Sequence, residues 1–275
     1  MSRKQIEGNP LIVSSTISER YAKSITELMK IMHKEAISGI ETIYHTYALD
    51  GKKDLPKGGS LVAQLRILFN YLLKKYTPIF NALAKRATEK MVVQTTKHAN
   101  ATLKLSLKKM SKELSVNPDF FDARIKEVTQ AGVIEATSLI KAIPQKHIAD
   151  VQKVLMHAIS TEGKGIAELK PFLTKLYKGN ERRAELTALD QTRKVYACIQ
   201  VEKMKRLGVR KFKWVHSGGG REPRKRHQEL HGEIHSFDDP PYIGDMHGEK
   251  VYGLPGQLPN CRCCMTPIFD FEERK

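Results

Sequence analysis

From Thr16 to about residue 207 one interval organises the sequence: apolar residues fall three or four positions apart, and this constrains the fold more than any other feature. An α-helix repeats every 3.6 residues, so such spacing gathers side chains on one face that must be buried against another element. Tyr21, Ile25, Leu28, Met32, Ala36, Ile40 and Ile43 form the first stripe, and Thr16 with Glu19 has capping-box spacing at its start. This helix is expected to end near Leu49 and give way to a loop at 50–59. Ser60 then caps a second helix that carries Leu61, Leu65, Leu68 and Leu72. Proline lacks the N–H a helix interior needs, so Pro78 is expected to kink or interrupt this helix. The stripe resumes at Ile79, Leu83, Ala87 and Met91 and runs through Leu103, Leu107, Met110 and Leu114 to a stop at Asn117-Pro118. Further helices are expected at 119–142 and 145–160, divided by Pro144. A turn at 162–165, a short segment at 166–177, a break at Gly179-Asn180 and a last helix from about Glu181 to Gly208 complete this part.

After Gly208 the pattern changes. Lys211-Phe212-Lys213-Trp214-Val215-His216 alternates as a strand does, and the rest is dense in Gly, Pro and His. The fold class expected is mostly α with a C-terminal α+β module: an elongated helical N-terminal region, then a small domain of short strands and one short helix. In sequence order this gives an irregular N-terminal arm at 1–14, a helical region at 15–145 and a C-terminal domain at 146–270. The domain comprises a helical approach at 146–207 and the α+β module at 208–270.

The chain has 275 residues and a formal net charge of +17, enough to draw nucleic acid, acidic proteins or anionic lipid without specifying which. Lys104, Lys108, Lys109 and Lys112 lie on or near one helix face, where they can track phosphates or simply face solvent. Only 7% of residues are aromatic and no Arg-rich recognition helix is present, which argues against sequence-specific base readout. The most apolar run, 61–73, is broken by Gln64, Arg66 and Asn70, so neither a signal peptide nor a membrane span is expected. Three of the four cysteines are packed into Asn260-Cys261-Arg262-Cys263-Cys264. That is unlike the evenly spaced disulfide framework of a small secreted domain and points to synthesis in a reducing cytoplasm.

Residues 223–231 can form a short helix with His227 and His231 on one face, and an extended Cys261-x-Cys263 puts two sulfurs on one side of a strand. Together His227, His231, Cys261 and Cys263 make a conceivable Cys2His2 zinc set. On the other reading His227 makes a structural hydrogen bond and the cysteines pack as small apolar groups. Arg226-His227-Gln228-Glu229 lacks the second histidine of a zinc hydrolase, and Gly218-Gly219-Gly220 lacks the Lys-Ser/Thr of a P-loop. With no nucleophile elbow or dinucleotide fingerprint either, the expectation is a non-enzyme with no cofactor, zinc being the one candidate.

The run Arg224-x-x-His227-x-x-Leu230-x-Gly232, then Leu254-Pro255-Gly256, then Pro259-Asn260-Cys261-Arg262-Cys263 resembles the signature of the phage Mu F-like minor head protein family, the phage head morphogenesis domain. Glu162-Gly163, Arg183-Ala184-Glu185 and Ala188-Leu189-Asp190-Gln191-Thr192 look like the helical approach to it, so the likeness covers roughly residues 150 to 270. The chain departs from the family at Ser217-Gly218-Gly219-Gly220-Arg221, where an acidic residue is usual, and at Leu189-Asp190-Gln191, where Arg-Thr-Glu is usual.

The resemblance implies a minor capsid protein of a tailed bacteriophage, made in the host bacterial cytoplasm and resident in the capsid interior of the virion. Its implied partners are the portal protein, the scaffold or major capsid protein, and packaged DNA contacted non-specifically or helped in delivery, with no membrane during assembly. The matched positions Arg224, His227, Leu230, Gly232, Pro259, Asn260, Cys261, Arg262 and Cys263 are expected to hold the module together. Arg224 and Arg262 would make forked hydrogen bonds, His227 would pin the short helix and Gly232 would permit the turn after it. Two other readings stand beside this one: a non-sequence-specific DNA-binding protein, and a metal-dependent phage enzyme built on the His/Cys cluster.

Overall fold

The three-to-four-residue stripes become five long helices, and the alternating C-terminal segments become short antiparallel strands. The structure, a computed structural model, describes residues 3–49, 59–110, 123–161, 166–219 and 222–272. In chain order the elements are β1 (Arg3–Glu7), α1 (Ser15–Leu49), α2 (Leu61–Met110), α3 (Ala123–Lys141), α4 (Ile143–Thr161), α5 (Ile166–Arg206), β2 (Lys211–Val215), α6 (Lys225–Glu229), β3 (Ile234–Ser236), β4 (Tyr242–Met246), β5 (Glu249–Tyr252) and β6 (Cys264–Glu272). The expected loop at 50–58, Leu114, the stop at Asn117-Pro118 and the turn at 162–165 lie outside the described residues, as do Lys112, Gly220 and Arg221.

Where sequence order suggests successive regions at 15–145 and 146–270, contacts in space group the chain into two interleaved units. One comprises Arg20–Thr88 and Glu135–Thr187 and is helical; the other comprises Met1–Glu19, Glu89–Ile134 and Ala188–Lys275 and bears the sheets. In the helical unit Ile25, Met29, Met32, Ala36 and Ile40 of α1, Leu65, Leu72, Phe80 and Ala84 of α2, and Val151 and Leu155 of α4 are all buried. The stripe expected from the sequence is met at Ile25, Met32, Ala36, Ile40, Leu65 and Leu72, but Met29 is buried where Leu28 was expected. Beyond Pro78 the buried face runs through Phe80 and Ala84, while Ile79 of the expected stripe is exposed.

Neither the interruption of the helix at Pro78 nor the break at Gly179-Asn180 occurs. Pro78 lies within α2, which runs on through it. Tyr76, Phe80 and Ala84 on the adjoining face are at most 2% exposed, and their burial outweighs the one backbone hydrogen bond that proline forfeits. Gly179-Asn180 lies within α5. The Asn180 amide donates to His147 Nδ1 (3.2 Å) and to Asp150 Oδ2 (3.1 Å), so tertiary bonds hold a residue that locally favours a turn in helical conformation. The Ser60 cap forms, its Oγ accepting the Ala63 N–H at 3.3 Å.

The arm at 1–14 is not wholly irregular. Arg3–Glu7 is the edge strand of a four-stranded antiparallel sheet of order β1-β6-β2-β3, with Arg3 opposite Glu272 and Glu7 opposite Ile268. Leu11 then bridges to Met265. Proline is normally excluded from a central strand, yet Pro267 sits in β6. Its carbonyl accepts the Gly8 N–H at 3.0 Å, just past the end of β1, so the missing donor falls where β1 needs none. On β2, Phe212 and Trp214 are both fully buried and Phe212 stacks on Phe237 at 5.0 Å. The hairpin β4–β5 turns through His247 (φ 55°) and Gly248 (φ 85°), the two positive angles a two-residue type I′ turn requires.

Candidate functional site

Three elements of the sheet-bearing unit converge on one group of polar atoms. Helix α6 carries His227, which is 3% exposed, and the loop before β6 supplies Cys261, also 3% exposed, and the half-buried Cys263. His227 Nδ1 lies 3.5 Å from the Cys261 sulfur and 3.7 Å from the Cys263 sulfur, and all three atoms fall within 4.8 Å of one another. An extended Cys-x-Cys segment makes this possible, because residues two apart point the same way.

The histidine's other nitrogen fixes its chemistry. Nε2 lies 3.0 Å from the carbonyl oxygen of Ile243 in β4, an acceptor only, so Nε2 carries the proton and Nδ1 presents a bare lone pair to the sulfurs. The Trp214 indole packs edge-on against the imidazole, with ring centres 5.2 Å apart. The sulfurs have donors of their own. Gly256 N–H donates to Cys261 Sγ at 3.3 Å. The Cys263 thiol, donating to Cys261, holds the Cys261 thiol well below the usual thiol range, with burial opposing and backbone N–H groups helping. For the same reason Cys263 is pushed up, with the Trp214 side chain pulling the other way. Of the pair, Cys261 is thus the readier to ionise and Cys263 the readier to keep its proton. None of the four cysteines is in a disulfide.

The remaining signature residues build the frame around this group. Arg224, at the start of α6, donates through Nη2 to the Pro259 carbonyl at 3.0 Å, a single bond and not a fork. Leu230 is fully buried. Gly232 has φ 86° and sends its N–H to the Trp214 carbonyl at 2.9 Å, so the turn after α6 uses the left-handed backbone that glycine adopts freely. Asn260 (φ 60°) also takes this conformation, which asparagine tolerates better than most residues, and it redirects the chain into Cys261. Pro259 and Arg262 are exposed.

The structure does not bring His231 to the cluster. His231 is exposed, and its Nδ1 accepts the His216 N–H at 3.1 Å. The i, i+4 spacing put both histidines on one helical face, but α6 ends at Glu229 and His231 lies in the turn beyond it. Lys104, Lys108 and Lys109 are exposed on α2, Lys109 reaching the Gly8 carbonyl at 3.4 Å.

Sequence reasoning missed the role of Asp190. Its Oδ1 accepts the Asn260 N–H at 2.8 Å, and Arg193 stands 3.6 Å away. Burial raises the pKa of this carboxyl, against the pull of the Asn260 N–H and Arg193. The signal was present as a departure: an acidic residue inside Leu189-Asp190-Gln191, one place before the position where an acid was looked for.

Residues 149–266 match the family of phage Mu protein F like proteins. This segment is Mu F-like. It begins on α4 and ends within β6, so it takes in every residue of the His/Cys group and its frame. Over 268 residues, 96% of its length, the chain is 25% identical to an uncharacterized protein of Haemophilus influenzae, and it spans 56% of that relative. No solved structure matches the chain. Among the described residues no helix is long and apolar enough to cross a membrane.

Proposed function

We propose that this chain is a minor head protein of a tailed bacteriophage that sits inside the capsid near the portal and acts in head assembly. The observation that carries this reading is the coincidence of the Mu F-like match at 149–266 with the residues that frame one compact site, from Asp190 on α5 to Cys263 before β6. Frame and site serve as architecture here: the bonds from Arg224, His227 and Asp190 each end on backbone groups of the same module. The partners on this reading are the portal protein and the scaffold or major capsid protein.

The test is co-sedimentation of the purified chain with portal oligomers in moderate salt, beside a DNA control. Selective binding to portal is expected. A chain that ignores portal while binding DNA in a steeply salt-dependent, sequence-indifferent way would put non-specific DNA binding in its place. That second reading has its own support in Lys104 and Lys108, both exposed on α2 in a chain of net charge +17.

A further inference from the structure

We propose that His227, Cys261 and Cys263 form a zinc site with three protein ligands and a fourth position supplied by water. A tetrahedral ion bound by sulfur at about 2.3 Å and nitrogen at about 2.05 Å sets its ligand atoms about 3.6 Å apart, from the cosine rule at the tetrahedral angle. The two nitrogen–sulfur separations, 3.5 and 3.7 Å, bracket that value. A single imidazole lone pair accepts one thiol hydrogen well, whereas here two sulfurs converge on it, which is the arrangement a shared cation organises.

The surroundings are those of a metal ligand shell. Zinc-bound histidines hand their second N–H to a carbonyl or carboxylate, which sets tautomer and ring orientation, and His227 does so with the Ile243 carbonyl. Metal-bound thiolates collect N–H donors, and Cys261 has that of Gly256. Trp214 Nε1 is buried and makes no hydrogen bond among the described residues. Two thiolates neutralise a divalent cation, so the loaded site carries no net charge into a buried place.

The site is closed on one side only. Cys263, unlike His227 and Cys261, lines a cavity of about 400 Å³ that Arg193, His216, Ser217 and Arg262 also border, and this is the side from which water reaches the fourth position. The ion would join α6 to the start of β6, two places separated by more than thirty residues of loop and hairpin. Zinc clasps of this kind stabilise small modules whose apolar core is thin. The site does not depend on the minor-head reading and can stand or fall without it.

The test uses the full chain, purified under reducing conditions without chelator and analysed for metal by elemental mass spectrometry. One zinc per chain is expected. After removal of zinc, cobalt(II) should restore one equivalent of binding with the visible bands of a tetrahedral ion and a thiolate charge-transfer band. The Cys263→Ser variant should lose most of the charge-transfer intensity, whereas His231→Ala should keep both stoichiometry and spectrum. Should Cys263→Ser fail to fold, alkylation of the wild-type chain decides the matter: chelator should expose Cys261 and Cys263 together, and zinc should protect them again. Reduced thiols with no bound metal and no cobalt bands would overturn the proposal. So would an alkylation pattern indifferent to zinc, or loss of binding on substituting His231.

Discussion

The carboxylate of Asp190 on α5 accepts the backbone N–H of Asn260 at 2.8 Å, and this one bond fixes the turn that delivers Cys261 and Cys263 to His227. The link crosses seventy residues of sequence. It makes the helical approach and the strand-rich module parts of one device, because α5 supplies the acceptor and the turn supplies both the donor and the sulfurs.

Replacing Asp190 by alanine removes a charge-assisted acceptor and leaves the exposed Asn260 N–H to water. A loss of roughly 0.5–1.5 kcal/mol in unfolding free energy is expected. Asp190→Asn keeps an acceptor oxygen and should lose markedly less. Urea titration of the two variants side by side checks the ordering; equal losses would mean that the contact is steric.

Asn260 holds φ 60°, a conformation that penalises β-branched side chains. Asn260→Val is expected to cost about 1–2 kcal/mol, and Asn260→Gly to stay within a few tenths of wild type. Thermal unfolding of both variants reads the difference directly. A valine variant as stable as the glycine one would remove the conformational argument.

In the helical unit His33 Nδ1 and His147 Nε2 are 3.1 Å apart and buried, and His33 stacks on Tyr177. Asn180 donates to His147 Nδ1, so Nε2 bears the proton and gives it to His33 Nδ1: both rings are neutral. Burial first, and then the neighbouring His33, push the pKa of His147 from 6.5 down to about 4, with Asp150 opposing; burial lowers His33 too, against Glu181. A depressed histidine favours the folded state fully above its unfolded value of 6.5, and the benefit is lost as the pH falls towards 4, levelling below that. For His147 alone the whole span is about 3 kcal/mol. Unfolding free energies measured from neutral pH to about pH 4 should fall more steeply in wild type than in His147→Gln. Parallel curves would show that the pair is not held neutral.

Pro78 is exposed within α2 and leaves one helical hydrogen bond unmade. Pro78→Ala restores an N–H to the ladder and should stabilise the chain, by up to about 3 kcal/mol. Chemical denaturation would register this as a higher midpoint at unchanged slope. A destabilised variant would mean that the proline shapes a bend on which packing depends.

The sequence made the helices legible because their stripes are long: Tyr21 to Ile43 repeats the interval often enough that no strand fits it. Local signals misled where tertiary contacts opposed them, as at Gly179-Asn180, whose turn preference yields to the bonds from Asn180 to His147 and Asp150. Strand β1 was invisible for a related reason. Arg3-Lys4-Gln5-Ile6-Glu7 has one apolar residue and no alternation worth the name, and it becomes a strand only because β6 offers an edge. At the site, Cys-x-Cys spacing correctly put two sulfurs on one side. The His227–His231 spacing did not carry over, since it presumes a helix longer than α6.

The pairing of β1 with β6 also governs when this module can be finished. Gln5 and Asp270 face each other and share a side-chain hydrogen bond at 3.0 Å, yet 265 positions separate them. During synthesis β1 therefore waits unpaired until β6 has emerged, and loop closure of that length is slow. Until then β6, once formed on β2, offers a bare edge to any extended segment nearby, including the same strand of another copy. Completion of the sheet is thus a late event, and crowding of nascent chains is the condition under which it would go wrong.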